Sequence, residues 1–321
     1  MPENILNLEN GISAQLLDDC IEKNEIPDAG NADIWIINND NAWHVRRFLV
    51  SLIRHPDPKV FLKPVFLQKD LKKTYKEYKN YNLKHLCDGY IKELDIQSKI
   101  PYIRFILNFI KNFNDSVSYI EDDLLKKALM YYYSRNKDIE FYESSESLSG
   151  YSYPRIEAYY DGTTEAYVNG RALLNGAYKS DLLRRNYVDT SHICRNCHSG
   201  FLNYREECPK CKHHNLQVRV LIHHFRCAYV ATETKFWQGE RMVCPKCSME
   251  LKNLGVDYDK PGKVFYCLND QCKHEFQKPL IGVHCVHCKT EQAPSELNME
   301  KIYNYELTKK GISEIFNKLS I

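Results

Sequence analysis

Eleven of the thirteen cysteines lie between Cys194 and Cys288, and ten of them form close pairs. Two cysteines separated by two residues can grip one zinc ion from a single tight turn, and a structural zinc site takes four such ligands. Five pairs supply two and a half sites, so one half-site is missing. The paired cysteines are Cys194/Cys197, Cys208/Cys211, Cys244/Cys247, Cys267/Cys272 and Cys285/Cys288.

The eleventh cysteine, Cys227, completes the count if a histidine joins it. His224 precedes it with the same two-residue spacing as most of the pairs, and we prefer it to the competing His223. Eleven cysteines and one histidine make twelve ligands, which predicts about three zinc ions as cofactors. The predicted metal ligands are Cys194, Cys197, Cys208, Cys211, His224, Cys227, Cys244, Cys247, Cys267, Cys272, Cys285 and Cys288.

The spacing of the half-sites suggests how they combine. The short loop between them favours one site from 194/197 with 208/211. The separation of 244/247 from 267/272 is typical of a zinc ribbon, whose hairpin would turn at residues 259–262. The halves 224/227 and 285/288 then remain for each other. The alternative is an interleaved arrangement in which 224/227 joins 267/272 and 244/247 joins 285/288, and the sequence leaves this choice open.

Other chemistries of cysteine and histidine fit the sequence less well. The run from Cys194 to His198 has the spacing of a c-type haem attachment, but the N-terminus lacks the basic and apolar runs of an export signal. We therefore expect a cytoplasmic protein whose thiols stay reduced, which disfavours disulfides; iron–sulfur ligation is the remaining alternative. Four complete ligands leave no open position on a zinc ion, so we predict that the protein is not an enzyme.

The charge of the cysteine-rich region bears on its partners. Residues 191–290 carry fifteen Lys/Arg and nine Asp/Glu, an excess typical of nucleic-acid binding. Three zinc ions with eleven thiolates would reduce this excess to about +1, which favours a protein partner. A membrane partner is not expected, since no run of eighteen apolar residues occurs. The candidates for nucleic-acid contact are Arg205, Lys210, Lys212, Arg219, Arg226, Lys246, Lys252, Lys260 and Lys263, with Tyr204, Phe225, Tyr258 and Tyr266.

The N-terminal part has the pattern of a β-α-β unit. Residues 32–37 are an apolar run typical of a buried strand, residues 42–54 carry apolar side chains at helical spacing, and residues 64–67 form a second short strand. Asn38 to Asn41 supply turn and helix-capping side chains between the first two elements. Two strands joined by a helix predict a parallel pair.

The remaining segments set the predicted boundaries. Residues 70–140 look helical, and the serine-rich residues 144–150 are the best linker candidate. A helix is predicted over 164–186. Near the C-terminus, Tyr303, Tyr305 and Leu307 alternate like a strand, and Thr308 can cap a helix whose face is Ile312, Ile315, Phe316 and Leu319. We expect this helix to pack on the cysteine-rich module.

Several motifs resemble the thaumarchaeal output domain. They are residues 223–227, 244–247 and 254–262, together with residues 150–154 and the cysteine pairs between 194 and 211. The resemblance spans about residues 150–290. It implies a cysteine-rich, metal-binding output module of prokaryotic signalling proteins, a module often found beside receiver domains.

The β-α-β unit itself resembles the middle of a receiver domain. The phosphate-accepting Asp of a receiver would fall where this chain has Asn38, and the receiver's Lys could match Lys69. Because an amide cannot accept phosphate as a carboxylate does, the resemblance implies a degenerate receiver used as a scaffold or docking surface.

Together these inferences predict an α+β fold with four parts. They are a degenerate receiver-like α/β and helical domain (1–145), a connecting helical segment (146–190), a multi-zinc ribbon module (191–290) and a C-terminal strand-helix tail (291–321). The predicted function is a non-catalytic, zinc-binding output module of a signalling protein, acting through protein contacts. The alternative is a nucleic-acid-binding zinc-ribbon regulator.

Overall fold

A computed structural model of the chain describes residues 5–8, 11–77, 83–92, 96–113, 122–145, 147–161 and 165–316. Tertiary contacts divide it into two compact units: Met1–Ser191 together with Glu300–Ile321, and His192–Met299. We call them the N-terminal unit and the cysteine unit. The fold is α+β, with parallel strands and helices in the N-terminal unit and cysteine-rich strands in the other.

The N-terminal unit contains a five-stranded sheet. Its strands are β1 (Ile5–Asn7), β2 (Ser13–Leu17), β3 (Ile34–Ile37), β4 (Val65–Gln68) and β5 (Tyr90–Ile91), and they lie side by side in chain order. β1 is antiparallel to β2, and the other neighbours are parallel. The predicted strands and their parallel pairing are confirmed. Receiver domains also have parallel strands, but in a receiver sheet the second strand lies at the edge, next to the first strand. The described strands do not have this order.

Helices cover both faces of this sheet, and every residue of β3 is therefore buried. Trp35 and Ile37 pack in the core that contains α2 (Ala42–Arg54), whereas Ile34 and Ile36 pack with α6 (Ile96–Asn112). The predicted helix α2 is confirmed, with Asn41 as its N-cap. The other described helices before residue 135 are α1 (Asp19–Lys23), α3 (Pro58–Phe61), α4 (Lys72–Glu77), α5 (Leu83–Leu86) and α7 (Asp123–Ser134).

A buried ion pair joins the sheet to α7. Arg135 Nε lies 3.2 Å from Asp88 Oδ1, and the two side chains are 0% and 1% exposed. Asp88 also accepts hydrogen bonds from the Tyr102 hydroxyl at 2.7 Å and the Val65 N–H at 2.9 Å. Burial alone would raise the pKa of Asp88, but Arg135 and these donors hold it below its usual value.

The predicted linker at 144–150 is wrong. Residues on either side form a hairpin of β6 (Tyr142–Glu143) and β7 (Tyr151–Ser152), and the Ser144 N–H donates to the Gly150 carbonyl. Ser147 and Ser149 are buried. Serine hydroxyls can satisfy the main chain of a tight turn as readily as they solvate a linker, so composition alone could not separate the two.

The helix predicted over 164–186 is shorter. After α8 (Pro154–Glu157), α9 spans Ala166–Lys179 and is followed by the strand β8 (Leu183–Ile193). Asp181 has a φ of +60°, and the Leu182 N–H turns back to the Ala177 carbonyl, which ends the helix. Residues 183–186 are therefore strand.

The cysteine unit consists of short antiparallel strands. They are β9 (Leu202–Glu207), β10 (Leu216–His224), β11 (Tyr229–Thr232), β12 (Trp237–Gln238), β13 (Arg241–Met242), β14 (Tyr258–Cys267), β15 (Glu275–Phe276), β16 (Leu280–Cys285) and β17 (Glu291–Gln292). β9 pairs with β16, and β10 pairs with β14. The chain therefore runs out along β9 and β10 and returns along β14 and β16.

The hairpin turn predicted at residues 259–262 is wrong, because these residues lie inside β14. The register of β10 and β14 shifts between Leu221 and His223, so that Lys260 and Pro261 face a single residue of β10. Such a bulge tolerates a proline that has no N–H to donate. The Pro-Gly pair marks this bulge instead of a turn.

The C-terminal segment returns to the N-terminal unit. β18 (Asn298–Leu307) pairs with β8 and is followed by α10 (Lys309–Phe316). The predicted strand and helix are confirmed, with the Gly311 N–H donating to Thr308 Oγ1 at 3.0 Å; Leu319 lies outside the described residues. The predicted packing on the cysteine-rich module is wrong, since the Phe316 ring contacts those of Phe109 and Tyr133 at 5.6 and 5.0 Å.

Two helical glycines give a matched test of this packing. A Cβ on Gly311 would lie 2.2 Å from the Leu182 carbonyl oxygen, whereas one on Gly176 of α9 would meet nothing within 4 Å. We expect Gly311→Ala to lower the free energy of unfolding by roughly 1–3 kcal/mol through this clash. Gly176→Ala should raise it by up to about 1 kcal/mol, the ordinary gain of alanine over glycine in a helix. Urea unfolding measures both, and a stabilising Gly311→Ala would contradict the described docking of α10.

Candidate metal centres

The twelve predicted ligands gather in three groups of four. We call them the outer cluster (Cys194, Cys197, Cys285, Cys288), the middle cluster (Cys208, Cys211, Cys267, Cys272) and the inner cluster (His224, Cys227, Cys244, Cys247). Within each cluster, the candidate ligand atoms all lie within 4.8 Å of one another. Each cluster joins two of the half-sites recognised in the sequence.

The combination of half-sites differs from every predicted one. The pair 194/197 meets 285/288 and not 208/211, and 208/211 meets 267/272. The pair 224/227 meets 244/247, so the interleaved alternative is also wrong. The clusters are nested: the first half-site meets the last, the second meets the fifth, and the middle two meet each other.

Strand register explains the nesting. Leu202 lies opposite Cys285, which brings the start of β9 and the end of β16 to the outer cluster. Leu216 lies opposite Cys267, which places the middle cluster where β10 begins and β14 ends. The inner cluster lies at the far end of β10, whose last residue is His224. Antiparallel pairing of these strands thus decides which half-sites meet in the outer and middle clusters, whereas the inner cluster joins two half-sites that are neighbours in sequence.

Distances within the clusters fit tetrahedral zinc. The Sγ–Sγ distances between facing half-sites run from 3.5 to 3.8 Å. A tetrahedron with Zn–S bonds of about 2.3 Å has edges of about 3.8 Å, whereas a disulfide bond measures about 2.05 Å. In the inner cluster, His224 Nδ1 lies 3.2 and 3.5 Å from the Sγ atoms of Cys227 and Cys247. The spacing therefore suits a metal bound by free thiolates.

Neighbouring histidines are separated by the pleat of β10. His224 is 2% exposed and faces the inner cluster. His223 points to the opposite face, where its Nδ1 lies 3.3 Å from Asp259 Oδ1. Alternation along the strand therefore places the preferred histidine, and not its neighbour, with the three cysteines.

All six half-sites share one backbone turn. In each, the residue after the second ligand has a φ between +48° and +64°. In the outer cluster, for example, the His198 N–H donates to the Cys194 carbonyl and the Cys194 N–H to the Ser199 carbonyl. The half-site of His224 and Cys227 has the same positive φ, which marks it as equivalent to the cysteine pairs. The residues with positive φ are His198, Lys212, Ala228, Ser248, Lys273 and Lys289.

This repeated turn was missed in the sequence because none of the six positions is a glycine, the residue that usually marks a positive φ. Four residues separate Cys267 from Cys272, two more than in the other cysteine pairs, and a turn at Asn269 accommodates them. The Asn269 carbonyl accepts from the Lys273 N–H, and its side chain accepts from the Gln271 N–H at 3.1 Å. An Asx-type turn therefore brings Cys272 back to the position that a two-residue spacing gives elsewhere.

Each cluster contains a thiol that ionises readily. The hydroxyl and N–H of Thr290 lower the pKa of Cys288 to about 5. The N–H of His213 lowers the pKa of Cys211 to about 7. Burial opposes ionisation of Cys244, but N–H groups of the following turn outweigh it and lower the pKa to about 6. Burial raises the pKa of Cys197 and Cys267 to about 12, so the outer and middle clusters combine thiols that ionise easily with thiols that need a cation to become thiolates.

Other candidates from the sequence lie outside the clusters. Cys20 and Cys87 belong to the N-terminal unit, where burial raises the pKa of Cys87 to about 12 and makes it an inert core thiol. Asn38 directly follows β3 and Lys69 directly follows β4. Because these strands are parallel, both residues lie at the same edge of the sheet. None of the described helices is both long and apolar enough to cross a lipid bilayer.

The fold and its clusters define a class: an α+β protein with three Cys/His sites that could hold metal ions. Residues 116–307 match the family described as thaumarchaeal output domain 1, and the chain belongs to that family. The resemblance seen over residues 150–290 is thus confirmed, and the match extends it to include α7 and β18. No curated protein and no solved structure gives a significant match.

Proposed function

We propose that this protein is a non-catalytic output module in which three zinc ions hold a protein-binding surface in place. The observation that carries the proposal is that each cluster offers four protein ligands. Four ligands fill the tetrahedron that structural zinc prefers, whereas a catalytic zinc keeps a position for water. The mixed ligand set of the inner cluster, three cysteines and one histidine, is also typical of structural zinc.

The best candidate surface lies beside the inner cluster. Leu254 and Val256 are 61% and 72% exposed, and the neighbouring Phe225 is 42% exposed. The Phe225 N–H donates to the Asp257 carbonyl at 3.0 Å, which fastens these side chains to the strand that carries His224. We call residues 253–257 the apolar loop. Exposed apolar side chains at a fixed position are typical of a protein contact.

The apolar loop is held by its own hydrogen bonds. The Asp257 carboxylate accepts from the N–H groups of Lys252 and Asn253 at 2.9 and 2.8 Å, and these donors lower its pKa. Gly255 has a φ of +83°, and its N–H donates to the Tyr258 carbonyl at 2.7 Å. A preformed loop loses little entropy on binding, so this loop suits a recognition surface.

In this proposal the N-terminal unit is a docking scaffold that does not accept phosphate as a receiver does. Its support is the amide of Asn38 at the carboxyl edge of β3, where a phosphoacceptor would need a carboxylate. Parallel strands and helices on both faces supply the rigid platform.

Nucleic-acid binding is the second candidate, favoured by an aromatic row on one face of β14 and β15. Phe265 lies directly opposite Phe276, and their rings stack at 5.8 Å and 13°. The His274 ring continues the row at 5.5 Å and 22° from Phe276. Half-exposed stacked rings suit unpaired bases, and alternation along β14 could have revealed them in the sequence.

Several cations expected to meet nucleic acid have other partners. Arg205 pairs with Glu291, Lys252 with Glu250 and Lys260 with Glu233. The Arg219 guanidinium lies 3.6 Å from the centre of the Tyr266 ring. Because the three ion pairs reduce the charge available to phosphates, protein contact remains the first proposal.

One experiment separates the two candidates. Leu254→Ser/Val256→Ser removes the apolar loop's side chains, and Leu280→Ser/Ile281→Ser removes two apolar side chains of β16 that are 39% and 45% exposed. We expect proteins cross-linked to the wild type in extracts of the source cells to be lost with the first variant and kept with the second, all three proteins holding equal metal.

Two outcomes of the cross-linking experiment would contradict protein contact through the apolar loop. Equal loss with both variants, or loss with neither, would remove the apolar loop as the contact surface. The same three proteins are titrated with labelled single-stranded DNA and RNA. Binding that weakens steeply with salt and survives the loop substitutions would assign the nucleic-acid role instead.

A further inference from the structure

The N-terminal unit contains a cavity that no role proposed so far uses. Its volume is about 390 Å³, within the range of small-molecule sites. Its walls come from α5, α7 and the segment after it, β6 and α8. The residues that matter for its chemistry are Lys84, His85, Tyr132, Lys137, Tyr142 and Arg155.

Arg155 gives this cavity a buried positive charge. It is 4% exposed, and its two terminal nitrogens donate to the Leu86 and Phe61 carbonyls at 2.9 and 3.3 Å. Within the described ranges it has no carboxylate partner. A buried charge normally requires an ionic partner, so a bound anion would supply what the protein leaves out.

A second buried arginine, Arg135, lies in the same core and has an ionic partner. The Tyr131 ring contacts both guanidinium groups, that of Arg155 at 3.1 Å and that of Arg135 at 4.2 Å from its centre. Arg135 is compensated by the buried Asp88. Among the residues that the structure describes, the unit therefore buries two cations on one aromatic ring and supplies a carboxylate for one of them.

Two lysines extend the positive charge towards solvent. Lys84 and Lys137 are exposed and line the cavity, and neither forms an ion pair with any residue that the structure describes. Burial, followed by these lysines, lowers the pKa of His85 to about 4. Asp138 and Glu140 also line the cavity and are as exposed as the two lysines, so these four charges balance and the net positive charge of the cavity is that of the buried Arg155.

An aromatic wall accompanies the charges. The His85 ring, neutral at ordinary pH, lies 3.5 Å from the Tyr142 ring centre to centre, and Tyr132 lines the same cavity. The planes of these two rings are 42° apart, so a planar group can stack on one of them, and the cations suit a phosphate. The two features occur together in one cavity of suitable size.

We propose that this cavity binds a small phosphorylated molecule with a planar ring, of the size of a nucleoside monophosphate. Its phosphate lies between Arg155 and the lysines, and its ring lies against the aromatic wall. Such a ligand would be the input of the module. This binding site lies within the N-terminal unit and needs neither zinc nor the apolar loop.

The test uses the full-length protein and isothermal titration calorimetry with the four 5′-mononucleotides, inorganic pyrophosphate and the matching nucleosides. We expect saturable binding of at least one mononucleotide and at least tenfold weaker binding of its nucleoside. Lys84→Gln/Lys137→Gln should weaken the nucleotide at least tenfold. Lys23→Gln/Lys179→Gln removes two exposed lysines elsewhere on the unit and should leave affinity unchanged.

Three results would overturn the proposal. The first is that neither a nucleotide nor pyrophosphate binds at millimolar concentration. The second is equal affinity for a nucleotide and its nucleoside. The third is that both lysine variants weaken nucleotide binding equally. Since the four lysines are exposed, all variants should fold, and unchanged thermal unfolding without ligand verifies this.

Discussion

If zinc fills the three clusters as proposed, a chelator should unfold His192–Met299 while the N-terminal unit stays folded. The described residues of the cysteine unit form one hydrophobic cluster, in which Ile222, Phe236 and Leu251 are buried around the inner site. The N-terminal unit has extended cores on both faces of its sheet. Structural zinc contributes roughly 10–16 kcal/mol per site in small metal-dependent domains, far more than this apolar cluster can supply.

Hydrogen exchange measured by mass spectrometry locates the loss. Amides of β9, β10, β14 and β16 should lose protection on chelation, and those of β3, β4 and α2 should keep it. Native mass spectrometry of the zinc-replete protein should find three ions per chain. Fewer than two ions in carefully purified protein, or loss of protection in both units together, would contradict the proposed arrangement.

A single substitution then tests the nesting. Cys208→Ser should remove one metal ion and expose Cys211, Cys267 and Cys272 to an alkylating reagent. The pairing suggested by the sequence would instead expose Cys194 and Cys197. Cys20→Ser, in the N-terminal unit, is the control and should retain all three ions. Alkylation mapped by mass spectrometry distinguishes the two patterns without requiring that the variant be fully stable.

Local patterns in the sequence predicted local structure well. The apolar spacing of residues 42–54 and the capping side chain of Asn41 were sufficient for α2, because caps and amphipathic faces act within a few residues. Counting half-sites likewise identified His224 as the twelfth member of the clusters, since each half-site is a single turn. These features need no information from distant parts of the chain.

Features that depend on distant residues were not predictable in this way. The nested clusters follow from the register of β9 with β16 and of β10 with β14, which join residues far apart in sequence. Pro261 looked like a turn residue because only the partner strand shows that it occupies a bulge. The sequence near Arg155 does not predict a buried cation either. The carbonyls that accept its hydrogen bonds belong to Phe61 and Leu86, which are distant in sequence.

The buried pair of Asp88 and Arg135 should give the largest single-residue effect in the N-terminal unit. Asp88→Asn leaves the Arg135 charge buried without a partner, and breaking such a pair costs about 3–5 kcal/mol. The matched control is Asp161→Asn, which breaks the pair with Arg46 at 2.6 Å where both side chains are about one-third exposed. That substitution should cost less than about 1 kcal/mol. Urea unfolding followed by circular dichroism measures both.

The pH dependence of stability separates the charge of Asp88 from its shape. Because the folded pKa of Asp88 lies below its unfolded value, the carboxylate stabilises the fold above the unfolded pKa, and this stabilisation is lost as pH falls through the folded pKa. Wild-type stability should therefore fall more steeply than that of Asp88→Asn below about pH 4. Parallel curves would show that the ion pair contributes nothing through its charge, and Asp88 would then act only through the hydrogen bonds from Tyr102 and Val65.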